Sequence, residues 1–508
     1  MKNWIINSLK LFYLFAIPFY SILFLYNLNS SEVHLSQTVF PLIISFVIVF
    51  IILKISQRLI NGSEAASLIS FYVIFVFFNF GFLYDFCIKL RIPIIQQGRW
   101  LFLFLFIILI LSVLIIKRAT KNQLSISIAF FRVSYFSLII FVSFSIANKE
   151  FVNKNANNIK SGYEISTLNE FKGNVYYIIL DGYASSNVSR KLHGFDNKAF
   201  FDSLKNLGFY FPEKSKSNYS MTFLSLSSSM NMDYLNNLVP QLINTEGNST
   251  MELQNLIQYP KIFKKFKSKG YKIYNISSGW GPTSFINSAN VNSSSLFLSP
   301  FYYQWAQFTL IRPLIQRRLY ESRGENILHS FSELKNIKEK KGKLFIFSHI
   351  ISPHRPYIFD KNGDIVNYED DDFSSLNSHI NKYYSQVQYL NKQIIEVLKE
   401  ILKNSKIKPI IILQSDHGSD LYFNNSFIKL ALKEPLRSNQ ISERTENLNA
   451  IYLPYNTSNS IKLINNLTPV NTFRLIFNEY FKDSLQYRDN EIFYSDYYHQ
   501  YRFNKIKY

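Results

Sequence analysis

Pro409–Asp420 reads PIIILQSDHGSD. Ile410–Leu413 is a short bounded apolar run, the pattern of a strand buried on both faces of an α/β sheet. Ser415-Asp416-His417-Gly418 follows at once. In open α/β sheets the chemistry sits just beyond the carboxyl ends of the strands. A carboxylate and an imidazole side by side there can both face one divalent cation. Gly418 lets the backbone turn away without a Cβ clash. Taken alone, the pair reads more simply as a strand-end turn in which Asp416 caps a loop. Two further segments change that reading.

The chain has 508 residues, more than one domain ordinarily uses. It is 47% hydrophobic and 17% aromatic, which excludes a disordered chain. The formal charge of +20 fits nucleic acid, an anionic membrane surface or anionic substrates. The basic residues are dispersed, which disfavours nucleic acid. The single cysteine, Cys87, excludes a disulfide framework and a cysteine-based metal site within one chain.

Residues 1–148 read as a transmembrane region. Apolar stretches near the ~20 residues needed to span recur there. They lie near Leu9–Tyr26, Thr38–Ile55, Ala66–Ile88, Trp100–Ile116 and Ile126–Ala147. The first lacks a small-residue cleavage site, so it reads as a retained helix and not a signal peptide. Lys2 and Lys10 flank the first span, Lys54 and Arg58 follow the second, and Lys117, Arg118 and Lys121 follow the fourth. Asn27–Gln37 has no Lys or Arg, whereas Lys89, Arg91 and Arg99 run against the pattern. The balance puts the N-terminus inside and, after five spans, the remainder outside the cytoplasm. Residues 149–172, polar and rich in Asn, Ser and Lys, read as a linker.

Residues 173–508 are long enough for one large α/β domain. Strands are expected at Val175–Leu180, Tyr271–Ile276, Leu344–Ser348 and Asn449–Leu453. Helices are expected at Lys198–Leu207, from Pro260 to Gly270, at Ile380–Asn404 and at Phe473–Phe481 behind Asn471 and Thr472. This alternation predicts a mainly parallel sheet between helices.

Val175–Tyr183 repeats the logic of the opening stretch: an apolar strand, then Asp181, then Gly182. Ser217–Met232, SNYSMTFLSLSSSMNM, is a polar turn leading into a helix. Thr222 sits at that turn, where unpaired N–H groups favour anions. A plain N-cap role is the competing reading, and Ser220, Ser225 and Ser227 are competing hydroxyls. In Phe345–Tyr357, FIFSHIISPHRPY, His349 ends a strand and His354-Arg355 follows in a Pro-rich turn.

These segments resemble the alkaline phosphatase superfamily, in particular its sulfatase-like membrane branch of lipoteichoic acid synthases and phosphoethanolamine transferases. The resemblance covers the catalytic domain and the layout of membrane helices followed by an extracytoplasmic domain. It implies an alkaline-phosphatase-like domain and one divalent metal: zinc or manganese first, magnesium third. It places the metal ligands at Asp181, Thr222, Asp416 and His417, with Thr222 as nucleophile. It places a substrate-pocket histidine at His354, with His349 second. The neighbouring Arg355 is suited by its own chemistry to contact phosphate oxygens.

Two departures bear on the reaction. The Cys/Ser-x-Pro-x-Arg motif that sulfatases convert to formylglycine is absent. The histidine that two-metal members carry after Ser-Asp-His-Gly is also missing from Arg444–Pro454, RTENLNAIYLP. Arg444 there reads as a contact for an anionic substrate or, more plainly, a surface salt bridge. The expectation is a multi-pass cell-membrane phosphotransferase. It moves a phospholipid head group, of phosphoethanolamine or phosphoglycerol type, through Thr222 to a cell-envelope glycan or lipid. The alternatives are a hydrolase or phosphodiesterase on the same scaffold, and a non-catalytic envelope-assembly protein.

Overall fold

The computed structural model describes residues 11, 13–29, 33, 35–89, 98–154, 171–245, 250–284, 286–293, 300–337, 343–366, 375–422, 438–455, 462–495 and 499–506. Lys2, Lys10, Arg91 and residues 155–170 of the expected linker lie outside them. The chain divides into two compact units: Met1–Ser161 with Leu298–Leu319, and Gly162–Phe297 with Tyr320–Tyr508.

In the first unit, four helices among the described residues are long and apolar enough to cross a membrane: Leu35–Leu59, Ser63–Cys87, Trp100–Arg118 and Lys121–Asn148. Tyr13–Asn29, the first expected span, is also an apolar helix but a shorter one. The fifth helix continues to Lys154, into residues expected to begin the linker. Phe102, Phe104, Ile107, Ile110 and Leu114 lie exposed along one of these helices. Such a surface suits lipid, because contiguous apolar patches of this kind are unfavourable in water.

The second unit is built on a six-stranded sheet. Its strands in chain order are β1 Val175–Leu180, β2 Lys272–Ile276, β3 Val291–Ser293, β4 Leu344–Ile350, β5 Ile410–Gln414 and β6 Asn449–Tyr452. They lie in the order β3-β2-β4-β1-β5-β6. All neighbours are parallel except β5 and β6, so the expected mainly parallel sheet is present. Every residue of β1, β4 and β5 is buried. Tyr176, Ile178 and Leu180 face a core containing Val387, Leu390, Ile394 and Val397 of the helix Leu376–Asn404. Val175, Tyr177 and Ile179 face Leu226, Phe263, Phe266 and Phe473 from helices on the other side. The two-residue period of a strand sends successive side chains to opposite faces. With both faces covered, β1 is continuously apolar, and β4 and β5 carry polar residues only toward their carboxyl ends, at Ser348, His349 and Gln414.

Helix ends follow local chemistry. Gly208 and Gly270, with φ of 91° and 79°, stop the helices Lys198–Asn206 and Lys261–Ser268. Ser375 caps Leu376–Asn404, its side chain accepting from the Ser378 N–H. The last long helix starts at Pro469, a turn earlier than its sequence suggests, so Asn471 and Thr472 lie inside it. Proline is preorganised for a first helical turn, which explains the earlier start.

Candidate active site

Register brings the motifs together. Ile179 of β1 lies opposite His349 of β4 and Gln414 of β5. The three strands therefore end level, and Asp181 emerges beside Asp416 and His417. Ligand atoms of Asp181, Asp416 and His417 lie within 4.8 Å of one another, and all three residues are buried. Thr222 is the first residue of the helix Thr222–Asn231, whose N-cap is Met221, so it does not serve as the N-cap. Its hydroxyl lies 3.2 Å from His417 Nε2. The four residues expected to gather from sequence are adjacent.

The loop that holds them is fixed by hydrogen bonds from its own residues. Ser415 Oγ accepts from the Tyr183 N–H and donates to the His417 carbonyl at 2.6 Å. Asp416 Oδ1 accepts from the Gly182 N–H at 3.1 Å. Gly182 has φ of 70°, which glycine adopts without strain. Gly418 serves a different need, since a Cβ there would run into the Glu443 carbonyl oxygen. The buried Glu443 carboxylate then takes the Leu421 and Tyr422 N–H groups, the Ser419 hydroxyl and His193.

The donor set fits a divalent cation. His417 Nδ1–H donates to the Gly418 carbonyl at 2.8 Å, which leaves a lone pair on Nε2. That lone pair is 3.3 Å from Asp416 Oδ2 and 3.7 Å from Asp181 Oδ1. Both oxygens are buried and accept no hydrogen bond among the described residues. Three electron-rich atoms thus converge on one point with no N–H between them. Burial and then Arg444 lower the His417 pKa, outweighing the two carboxylates, so the imidazole is neutral and able to ligate. Burial pushes the Asp181 carboxyl up, but His354, His349 and His417 together hold it well below the usual carboxylate range.

Two of the three competing hydroxyls are engaged elsewhere, whereas Ser220 Oγ is buried with no hydrogen-bond partner among the described residues. Ser225 Oγ donates to the Asp416 carbonyl at 2.6 Å and Ser227 Oγ to the Leu253 carbonyl. Ser220 is buried, and its carbonyl accepts from Arg444. Arg444 itself is buried, so it is not the surface salt bridge that its sequence context suggested.

His354 is partly buried, with ring Nδ1 on the Arg355 carbonyl at 2.7 Å and its backbone N–H donating to the Asp181 carbonyl. Arg355 pairs with Asp420 at 2.6 Å, so its guanidinium already holds a carboxylate. Burial pushes the Asp420 carboxyl up, but Arg355, Arg444 and His354 outweigh it and hold the group at about 2. Asp420 went unassigned from sequence, although it is the last residue of the opening stretch.

His349, the second choice for the substrate-pocket histidine, is fully buried. Its Nε2 faces Asp181 Oδ2 at 3.4 Å, and its Nδ1 meets the Thr283 hydroxyl at 3.0 Å. Trp280 packs edge-on against its ring, and Phe223, the neighbour of Thr222, packs against Trp280. Only strand register puts His349 beside Asp181, which is why a linear reading missed it. Partners of this kind tune metal affinity by about 10–100-fold. His349→Ala is therefore expected to weaken zinc binding in that range, measured by competition with a chelator. Unchanged affinity would remove His349 from the centre.

Residues 173–447 match the Sulfatase family model. No curated protein matches the chain. Among solved structures, the chain is similar to the C-terminal periplasmic domain of EcEptC from Escherichia coli, at 12% identity over 66% of this chain and 93% of that one, with a TM-score of 0.41. It is also similar to the C-terminal periplasmic domain of phosphoethanolamine transferase EptC from Campylobacter jejuni, at 17% identity over 63% and 92%, with a TM-score of 0.40. A third is the phosphonate monoester hydrolase SpPMH from Silicibacter pomeroyi, at 11% identity over 60% and 73%, with a TM-score of 0.41. The family match spans more than half of the 508 residues, and the chain belongs to the Sulfatase family of the alkaline phosphatase superfamily, an enzyme of its hydrolase/transferase kind.

Proposed function

We propose that the protein is a membrane-anchored phosphotransferase that moves a phospholipid head group through Thr222. The observation that carries this reading is the Thr222 hydroxyl at a helix start, 3.2 Å from His417 Nε2 and beside two buried carboxylates. A threonine hydroxyl is a weak nucleophile unless something lowers its pKa. Lewis acidity at that point, from one divalent cation held by Asp181, Asp416, His417 and Thr222, supplies that activation. Zinc or manganese suits the mixed nitrogen and oxygen donors, with magnesium less suited to imidazole.

Thr222 Oγ enters as the alkoxide, its proton having gone to solvent beforehand, and leaves as the alkoxide again in the second half-reaction. In the first half-reaction it forms a bond to phosphorus. The bond from phosphorus to the lipid glycerol oxygen breaks, and that oxygen takes a proton as diacylglycerol leaves. His354 is placed to deliver it, since its Nδ1 is tied to the Arg355 carbonyl and Nε2 is left for the substrate. In the second half-reaction His354 takes the proton of an acceptor hydroxyl, and the acceptor oxygen displaces Thr222. The acceptor is a cell-envelope glycan or lipid. Arg444 favours an anionic group at the same end of the sheet through its charge.

Two measurements test the reading. With phosphatidylethanolamine or phosphatidylglycerol as donor, His354→Ala is expected to slow diacylglycerol release by about 10²–10⁴-fold. Its zinc affinity should remain within a few-fold of the parent, and lost zinc would make His354 a ligand. Counting the shorter helix Tyr13–Asn29 with the four long ones gives five crossings, and these with the Lys/Arg asymmetry support reading the second unit as outside the cytoplasm. A reporter active only outside, fused after Tyr508, is expected to be active, and one active only inside would reverse the orientation.

A further inference from the structure

The chain between β3 and β4 contains a stretch that belongs to the first unit, Leu298–Leu319, although it lies within the family-matched residues. Its helix Pro300–Phe308 buries Phe301, Trp305 and Ala306 in one core with Tyr13, Ile17, Phe71 and Phe78 of the apolar helices. Phe308 stacks on Phe82 with centroids 3.9 Å apart. Gly81 permits the approach, since a Cβ there would collide with the Gln307 carbonyl oxygen. The Leu310 N–H donates to the Phe77 carbonyl at 2.8 Å. Arg312 donates to Asp85 at 2.8 Å, and its guanidinium lies over the Tyr84 ring at 4.9 Å.

These contacts fix which way the following turns face. Ile311 and Ile315 pack toward the apolar core. Leu314 is 80% exposed, and Arg317 and Arg318 are exposed. Residues 314, 317 and 318 are spaced i, i+3, i+4 in the helix Arg312–Asn336, so they share one face. That face carries an apolar tip and two guanidinium groups. The same elements mark helices that lie in a bilayer surface, where apolar side chains enter the acyl boundary and Arg meets phosphate. Tyr302 and Tyr303, half-buried just before it, are of the residue type enriched at the membrane–water interface.

We propose that Leu314, Arg317 and Arg318 form a membrane-surface contact that takes anionic phospholipid head groups. Charge complementarity selects this occupant over a protein partner, and the exposed leucine selects a bilayer over free phosphate. The contact rests on the reading that the apolar helices span a membrane, and the experiment separates the two.

In full-length protein carrying Cys87→Ser, single cysteines at Leu314, Phe104 and Lys361 are labelled with an environment-sensitive fluorophore. Each is reconstituted into phosphatidylcholine vesicles with and without phosphatidylglycerol. Quenching is read with lipids spin-labelled high on the acyl chain and with aqueous iodide. The Leu314→Cys probe is expected to be quenched by the shallow lipid label, at least twofold more with phosphatidylglycerol. Arg317→Gln with Arg318→Gln should remove that twofold gain. The Phe104→Cys probe should answer to lipid only and Lys361→Cys to iodide only. A Leu314→Cys probe that behaves like Lys361→Cys, while Phe104→Cys still answers to lipid, overturns the contact alone. A lipid-quenched Leu314→Cys probe with no phosphatidylglycerol gain overturns the anionic preference. Iodide quenching of Phe104→Cys overturns the membrane reading and the contact with it.

Discussion

Thr222→Ala is expected to abolish head-group transfer, with turnover falling by about 10⁴-fold or more, the scale seen when a covalent nucleophile is removed. The reason is positional. Thr222 is the one hydroxyl among the four weighed from sequence that meets His417 Nε2. Ser225 and Ser227 already donate to backbone carbonyls, and Ser225 does so to Asp416 itself. Neither can turn toward phosphorus without breaking a buried hydrogen bond. The fold should survive, because Thr222 begins its helix without capping it and alanine suits a helix interior. Far-UV circular dichroism and the thermal midpoint check that point. Diacylglycerol release at the parental rate would show that another group takes the phosphoryl.

Asp416→Asn is expected to remove stoichiometric metal and activity together. Its carboxylate is buried, Oδ1 is held by the Gly182 N–H, and Oδ2 points at the His417 lone pair. An amide there puts at best a neutral oxygen, or an N–H pair, where a charged acceptor stood. The loss of affinity should exceed the roughly 100-fold that removing an outer partner costs. Metal content after dialysis, by atomic emission, is the readout. Without metal, the parent protein should become less stable, since two buried carboxylates facing each other are costly when nothing compensates them. The Asp416→Asn protein should lose less stability on chelation than the parent, because one of the two charges is already gone. Full metal occupancy in Asp416→Asn would take Asp416 out of the ligand set.

Much of this centre was readable along the chain. β1 and β5 stand out as apolar runs closed by Asp-Gly and Asp-His-Gly, because a strand buried on both faces has no polar positions to blur it. Thr222 was readable as a helix start, though not as its first helical residue. What escaped depends on residues far apart in sequence. His349 looked like a strand end facing substrate, and only its pairing with Ile179 turns it toward Asp181. Arg355 looked free for phosphate, and only the return of the loop after His417 brings Asp420 to it. β6 was recognised as a strand, but its direction was not. A five-residue run carries no mark of which way it is traversed. Leu298–Leu319 gave no break in composition strong enough to separate it from its neighbours. The helix Pro300–Phe308 is far too short to read as a span, and its fit against Gly81 is a long-range match.

The central step is the transfer of a phosphoryl group to one threonine oxygen. Purified protein loaded with zinc and mixed with phosphatidylethanolamine or phosphatidylglycerol, quenched within a single turnover and digested, tests it by peptide mass spectrometry. The expected result is the mass of phosphoethanolamine or phosphoglycerol on the peptide containing Thr222, localised to that residue and absent in Thr222→Ala. Modification at Ser220 or Ser225, or diacylglycerol release with Thr222 unmodified throughout, would contradict it.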